Sequence, residues 1–236
     1  MKLFTTGNPK LIKGEKKGYL SFVLHLAPSD LSGKNTCPKA TAGCIASCLN
    51  TAGRGGIFKK GDSTNVIQQA RIRKTKQFFE SRDVFMFDLV RDIKNAIKQA
   101  EKKDLIPAFR LNGTSDISWE KYSCKRDGVE YSNIFEAFPE VQFYDYTKIR
   151  GRKVSHLTNY HLTFSRAESN EMDARIASSD GMNVAVVFKK DLPATYFGKK
   201  VINGDETDLR FLDERGVIVG LKAKGKAKKD SSGFVV

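Results

Sequence analysis

Three cysteines lie close together in the first quarter of the chain, at positions 37, 44 and 48, with the spacing C-x6-C-x3-C. The fourth cysteine, Cys124, is far away in sequence. Several thiolates on one short loop are typical ligands of zinc ions and of iron–sulfur clusters. A group of three also leaves one coordination position for a ligand other than a local cysteine. This loop is therefore the first candidate for chemistry.

The spacing of the cysteines distinguishes between these metals. Structural zinc usually takes cysteine pairs separated by two to four residues, and only Cys44 and Cys48 fit that pattern. Zinc would therefore need His25 or a distant ligand as well. A 4Fe–4S cluster can be held by three thiolates with one iron left open. We favour such a cluster on Cys37, Cys44 and Cys48, and we keep structural zinc and buried thiols without a metal as alternatives. Cys124 is expected to be an unrelated thiol.

A second group of polar residues follows the predicted strands at the points where they end. In a parallel α/β fold these ends meet at one edge, which usually carries the functional site. We expect a ligand site there, with Asp116 holding a ligand amine; the plainer alternatives are that Asp116 caps a helix and that Asp145 and Lys148 lie in an exposed turn. The predicted cofactor-binding residues are Asn112, Gly113, Ser115, Asp116, Asp145 and Lys148.

The elements that would position these groups alternate along the chain. The residues 19–27 form a nearly continuous apolar strand, which is typical of a strand covered on both faces. Two helices are predicted over 66–79 and 81–103, with Asp62 to Asn65 as the cap of the first. Further strands are predicted at 107–112, 141–146, 160–165, 183–188, 200–203 and 216–221. Strands separated by helices indicate parallel βαβ units, so we predict an α/β fold, a partial (β/α) barrel with the cysteine loop after the first strand.

The composition narrows the function. The chain has 236 residues, a net charge of +14 and an ordinary apolar content of 40%. We predict a single domain over 1–221, with the cluster loop at 35–56, and a basic tail over 222–236. The excess of lysine and arginine favours non-specific binding of nucleic acid, although the chain has no recognised nucleic-acid-binding motif. The chain contains neither a secretory signal nor an apolar run of membrane-spanning length, so we expect a cytoplasmic protein without a membrane partner.

One acidic stretch stands out in this basic chain. The residues Gly204 to Asp213 contain four carboxylates. They are too few for a calcium loop of the usual kind. We expect a solvated hairpin there.

Several blocks of the sequence resemble a phage protein family called gene product 88. They are Asn35-Thr-Cys-Pro with Gly-Cys-Ile-Ala-Ser-Cys-Leu-Asn-Thr-Ala-Gly-Arg-Gly, Arg110-Leu-Asn-Gly-Thr-Ser-Asp-Ile-Ser-Trp-Glu, Tyr144-Asp-Tyr-Thr-Lys and Val217-Ile-Val-Gly-Leu-Lys-Ala-Lys-Gly. The family name states no activity, but the resemblance implies a protein acting in the cytoplasm of an infected host.

The order of the elements is also distantly similar to that of radical S-adenosylmethionine enzymes. Those enzymes have a first strand, then a three-cysteine loop with a 4Fe–4S cluster, then a partial barrel. The cysteine gaps differ here, and Asn112 to Asp116 replace their Gly-Gly-Glu segment. This resemblance implies that the open iron binds S-adenosylmethionine, another small ligand, water or a side chain. The leading prediction is thus an iron–sulfur protein with radical or redox chemistry, and the alternative is a basic nucleic-acid-binding protein.

Overall fold

In the computed structural model of the chain, the structure describes residues 1–7, 9–51 and 65–236. The end of the predicted cluster loop, residues 52–56, and most of the predicted cap at Asp62 to Asn65 lie outside these ranges; Asn65 is described and caps the following helix. The helices are α1 (Pro9–Glu15), α2 (Ala42–Ala46), α3 (Val66–Glu80), α4 (Arg82–Glu101), α5 (Ile134–Ala137) and α6 (Glu171–Ser179).

In the described ranges, the strands outnumber the helices and in places follow one another directly. They are β1 (Phe4–Thr5), β2 (Tyr19–Leu24), β3 (Ile106–Arg110), β4 (Cys124–Arg126), β5 (Val129–Tyr131), β6 (Gln142–Thr147), β7 (Tyr160–Ser165), β8 (Val184–Phe188), β9 (Thr195–Tyr196), β10 (Lys199–Asn203) and β11 (Ile218–Lys222). Short 3-10 helices cover Leu49–Thr51, Trp119–Lys121, Arg210–Leu212 and Gly225–Lys229.

A large, mostly parallel sheet organises the molecule. Within the described ranges it has nine strands in the order β1-β2-β3-β6-β7-β8-β11-β10-β9. Only β1 and β9, at the two ends of this order, pair antiparallel with their neighbours. The α/β prediction is confirmed at this level. The described residues show no pairing between β1 and β9, so the predicted barrel is not confirmed.

One face of the sheet carries an aromatic row. Phe22 is in register with Phe109, Phe109 with Phe143, and Phe143 with Tyr160. The ring centroids of Phe22 and Phe109 lie 5.3 Å apart, and those of Phe109 and Phe143 lie 5.5 Å apart. The buried sides of α3 and α4 pack in the same cluster as these rings. Burial of this face against helices supplies most of the apolar area removed from water.

The opposite face of the sheet is more polar. Tyr144 is in register with His161, and Tyr146 with Thr163. The 3-10 helix Arg210–Leu212 packs against β6 and β7. Beneath it Asp208 is 6% exposed and accepts a hydrogen bond from Arg110 Nη1 at 2.8 Å. The prediction of a solvated hairpin at Gly204 to Asp213 is therefore wrong, because this segment covers a sheet face and pairs its carboxylate with a buried guanidinium.

The last residues of the chain extend the carboxyl end of the sheet. Val235 forms a parallel bridge with Val187 of β8. Val236 N–H donates to Val187 O at 2.9 Å, and Lys189 N–H donates to Val236 O at 2.7 Å. None of the helices in the described ranges combines the length and the apolar character that crossing a membrane requires.

Candidate functional site

The cysteine loop lies at the carboxyl edge of the parallel strands. Asp116, in the loop that follows β3, donates its backbone N–H to Thr36 O at 2.8 Å. The same Asp116 accepts a hydrogen bond at Oδ2 from Lys148 N–H, just after β6, at 2.8 Å. Lys148 Nζ donates to Ser165 Oγ at the end of β7 at 3.0 Å. We call this region, with Cys37, Cys44 and Cys48, the cysteine edge.

Cys37 is fixed by its surroundings on both sides. Ser29 N–H donates to its sulfur at 3.4 Å, and the sulfur lies 3.8 Å from Thr114 O, to which the thiol donates. Burial raises the pKa of the Cys37 thiol, the hydrogen bonds from Ser29 and Thr36 lower it, and the charges of Asp116 and Cys44 raise it further. The thiol is thus protonated at neutral pH in the absence of a metal.

Cys44 is carried by the short helix α2, which is tied to a distant loop. Thr41 caps this helix by accepting a hydrogen bond from Cys44 N–H at 3.2 Å. Glu168, after β7, accepts from the Thr41 hydroxyl at 2.6 Å and from Gly43 N–H at 2.7 Å. Burial opposes ionisation of Glu168, but these hydrogen bonds lower its pKa overall. The carboxylate therefore anchors the first turn of α2.

Cys48 lies beside a guanidinium. Burial lowers the pKa of Arg71, on α3, and the charge of Cys48 acts in the opposite direction. Arg71 Nη1 donates to the side-chain and backbone oxygens of Asn50, which are neutral acceptors. No carboxylate among the described residues pairs with Arg71. Within the described residues, the charge that acts against the desolvation of Arg71 is that of Cys48.

The surroundings of Arg71 add positive charge. Lys74, one turn further along α3, is 6% exposed and donates to Leu3 O at 2.6 Å. Burial and the charge of Arg71 lower the pKa of Lys74 to about 8. Burial, followed by the charges of Arg71, Arg110 and Lys74, lowers the pKa of His25 to about 3, so this imidazole is neutral. Burial raises the pKa of the Cys48 thiol, and the smaller effect of the charge of Arg71 lowers it.

The three thiols are near enough to influence one another. Burial raises the pKa of the Cys48 thiol, the hydrogen bond from Asn50 N–H lowers it, and the charges of Cys44 and Cys37 raise it again. Among the described residues, no group of three or more His, Cys, Asp or Glu side chains is arranged to hold a metal ion as it stands. Binding a cluster requires the thiols to turn from their present hydrogen-bonding partners toward one another.

Two of the predicted ligand-binding residues are occupied within the protein. Asp145 is fully buried and accepts hydrogen bonds from Asn112 N–H at 2.7 Å and from Tyr160 O–H at 3.1 Å. Asn112 Oδ1 accepts from Ser115 O–H, Ile117 N–H and Trp119 Nε1–H. Their side chains therefore fix the shape of the loop after β3. A Cβ at Gly113 would lie 2.5 Å from His25 Nδ1, so this loop approaches β2 as only glycine permits.

Asp116 keeps one oxygen without a hydrogen bond. Its Oδ1 is buried and lies 3.9 Å from Arg152 Nη1. Burial raises the pKa of Asp116, and hydrogen bonds from Lys148 and Thr147 lower it. The 3-10 helix Trp119–Lys121 begins after Ser118 and has no side-chain cap. The capping alternative for Asp116 is therefore wrong, because its carboxylate bridges two strand ends instead.

Sequence reasoning missed three contributors to this edge. Arg152 forms an ion pair with Glu120 and contacts Tyr160, Arg71 faces Cys48, and Arg166 holds the end of the chain. These arginines lie in stretches without a recognisable motif. The sequence places Arg166 among the polar residues at strand ends, and it marks Arg71 and Arg152 through basic stretches that pointed to phosphate contacts. Of the predicted ligand residues, Asp116 acts through its charge on Cys37, whereas the side chains of Ser115 and Lys148 donate to Asn112 and Ser165.

Comparisons with known proteins give one match. A family model described as gene product 88 matches residues 2–236. No curated protein and no solved structure gives a significant match. The resemblance to radical S-adenosylmethionine enzymes therefore gains no support from these comparisons.

Proposed function

Since the chain belongs to the gene product 88 family of phage proteins, whose name states no activity, we propose its function from the cysteine edge: the protein holds a 4Fe–4S cluster. Cys37, Cys44 and Cys48 are the ligands in this proposal, and one iron stays open toward the loop that follows β3. The cluster would supply electron transfer and a binding position for a small ligand.

The observation that carries the proposal is a set of three neighbouring thiols, one of which interacts with an arginine that has no carboxylate partner among the described residues. A buried charge is costly unless an opposite charge or a set of hydrogen bonds compensates it. Among the described residues the hydrogen-bonding partners of Arg71 are the neutral oxygens of Asn50, and the anionic charge that acts on it is that of Cys48. An anionic cluster with thiolate ligands provides the missing negative charge.

The groups around the cluster have separate roles. Arg71 stabilises the thiolate form of Cys48, because its positive charge lowers the pKa of that thiol against the larger effect of burial. The backbone N–H groups of Ser29 and Asn50 donate to the sulfurs of Cys37 and Cys48, where donors stabilise negative charge. Asn112 and Asp145 hold the loop after β3 in shape, so that Asp116 and Lys148 stay in place.

S-adenosylmethionine is the finer proposal for the open iron. Its amino acid group carries an amine and a carboxylate. Asp116 offers a carboxylate oxygen without a hydrogen bond, and Lys148 offers an ammonium group 3.0 Å from Ser165. These two charges match the two ends of that group. Titration with the compound and a search for 5′-deoxyadenosine would separate an enzyme from a cluster with a structural or redox-sensing role.

Anaerobic purification with iron and sulfide analysis tests the cluster. We expect about four irons per chain, together with the absorption and electron paramagnetic resonance signals of a 4Fe–4S cluster. Each of the changes Cys37→Ser, Cys44→Ser and Cys48→Ser should remove the iron, whereas Cys124→Ser, the matched control, should retain it. A colourless protein with stoichiometric zinc would contradict the proposal.

A rival function is supported by the surface lysines near the C-terminus. Lys226, Lys228 and Lys229 are exposed on the 3-10 helix Gly225–Lys229 and have no ion pair within the described residues. They could contact phosphates of nucleic acid without reading its sequence. In this case the cysteines would bind zinc or simply pack, and Cys→Ser changes would leave nucleic-acid binding unaltered.

A further inference from the structure

The C-terminal segment, residues 230–236, packs against the helix that carries Cys44. Arg166, after β7, is 6% exposed and donates from Nη1 to Gly233 O and to Phe234 O. Asp230 accepts from Val235 N–H at 3.0 Å and from Ser232 O–H at 2.7 Å. The segment is therefore held by specific hydrogen bonds, and its last residue pairs with β8.

Gly43 shows how closely this segment approaches α2. A Cβ at position 43 would lie 2.0 Å from Ser232 Oγ, 2.8 Å from Phe234 Cβ and 3.0 Å from Glu168 Oε1. These distances are too short for any residue with a side chain, although Gly43 lies inside a helix. The absence of a Cβ here serves the contact between α2 and the end of the chain.

Glu168 completes the contact from the other side. It binds the first turn of α2 through Thr41 and Gly43, as described above, and Gly233 lies against it: a Cβ there would be 3.6 Å from Glu168 Cβ. The helix α2 has five residues. So short a helix is not stable on its own and depends on tertiary contacts.

We infer that Glu168 and the C-terminal segment form a clasp that positions Cys44 at the cysteine edge. Glu168 is thus a positioning residue, and the C-terminal segment has the same positioning role. The role in cluster binding rests on the proposed function, but the clasp itself is a property of the metal-free protein. Opening the clasp frees α2 and exposes Cys44, while Cys37 stays bound to Ser29 and Thr114.

The rate of alkylation by iodoacetamide, followed by mass spectrometry at each cysteine of the metal-free protein, tests the clasp. Gly43→Ala should displace Ser232 and Phe234 and raise the rate at Cys44 by about tenfold, with Cys37 and Cys124 unchanged, because local opening exposes only the freed segment. Gly7→Ala is the matched control, since a Cβ at Gly7 has no atom within 4 Å. Ser232→Gly, combined with Gly43→Ala, should restore part of the protection.

Changes at Glu168 provide the second arm. Glu168→Ala removes both acceptors and should raise the Cys44 rate more than Glu168→Gln, which keeps one carbonyl oxygen for Gly43 N–H. In iron-loaded protein, the visible absorbance should decay faster when a chelator is present. This decay should be faster for Glu168→Ala than for Glu168→Gln. An unchanged Cys44 rate in both Gly43→Ala and Glu168→Ala would overturn the clasp, and so would an equal rise at Cys124. If the alkylation rate rises selectively at Cys44 but the protein binds no iron, the clasp is supported and only the cluster proposal is contradicted.

Discussion

The aromatic core and the cysteine edge are built from different interactions. The aromatic core (Phe22, Phe78, Phe109, Trp119 and Phe143) is buried to 2% exposure or less. At the cysteine edge, Cys37, Cys44 and Cys48 are only partly buried. The core is stabilised by burial, which has no directional requirement, whereas the edge depends on hydrogen bonds with defined partners. We therefore expect stability to reside in the core, and chemistry to depend on the edge.

One network connects these two regions. Asp145 lies on β6, two residues after Phe143, and holds Asn112 of the loop after β3. Asn112 also accepts from Trp119 in the aromatic core at 3.1 Å. These buried polar groups therefore link the packing of the core to the shape of the edge. Loss of one partner would lower the stability of the protein, because a buried polar group without a hydrogen bond is unfavourable.

The largest effect is expected in the aromatic core. Phe109→Ala should lower the free energy of unfolding by about 3–5 kcal/mol, because it removes a fully buried ring and leaves a cavity. Phe87→Ala on α4 is the control, since Phe87 is 67% exposed; its cost should stay below about 0.5 kcal/mol. Urea unfolding monitored by Trp119 fluorescence measures both. A cost near that of the control would show that the core is not where stability resides.

The second effect concerns pH and the connecting network. Burial raises the pKa of Asp145 to about 7, against about 3.9 in an unfolded chain. The folded protein thus holds a proton that the unfolded chain loses between these values, so the contribution of Asp145 to stability falls as pH rises from 4 to 7. Asp145→Asn removes this titration. Between pH 4 and pH 7, the free energy of unfolding of the variant should therefore rise by up to about 4 kcal/mol relative to that of the unaltered protein.

The difference between the two proteins is the quantity to measure. Burial lowers the pKa of His25 to about 3 and that of His161 to about 4. The contribution of these two histidines to folding stability falls as pH drops below about 6.5. This pH dependence is opposite to that of Asp145. Urea unfolding of both proteins at several pH values cancels the histidine contribution. A difference independent of pH would mean that Asp145 is ionised in the folded state throughout.

Both regions contain a cysteine, so the same Cys→Ser substitution allows a direct comparison between them. Cys124 is 5% exposed and packs in the core cluster, so Cys124→Ser should cost about 1–2 kcal/mol in the metal-free protein. Cys44→Ser should cost less than about 0.5 kcal/mol. Iron analysis should give the reverse order, with loss only at Cys44. Loss of iron in both variants would contradict the expectation that stability resides in the core and chemistry depends on the edge.

The smallest effect on stability is expected at the exposed lysines. Replacing Lys226 and Lys228 by Ala should change the free energy of unfolding by no more than about 0.5 kcal/mol. The dependence of nucleic-acid affinity on salt should weaken by about one unit of slope per lysine that contacts a phosphate. Binding titrations with duplex DNA at several salt concentrations measure this slope. An unchanged slope would exclude these lysines as phosphate contacts and weaken the rival function.

Much of the local structure followed from the sequence. The predicted strand at 160–165 coincides with β7, and the helix predicted from 66 begins at Val66 of α3. The helix α2 and the hairpin of β4 and β5 were not predicted. These elements are three to five residues long, too short for an apolar period to show.

The sequence by itself determined the longer strands and helices of the sheet and its helical cover, and it predicted that polar residues gather at strand ends. Local patterns of apolar residues carry this information, since they repeat within a few residues. Only the tertiary structure decided that Asp145 and Asp208 are buried, that Arg71 faces Cys48, and that the end of the chain holds α2. Each of these depends on partners far apart in sequence, such as Gly43 and Glu168, which are 125 residues apart. The burial and charge of a side chain are set by such neighbours, and no local pattern records them.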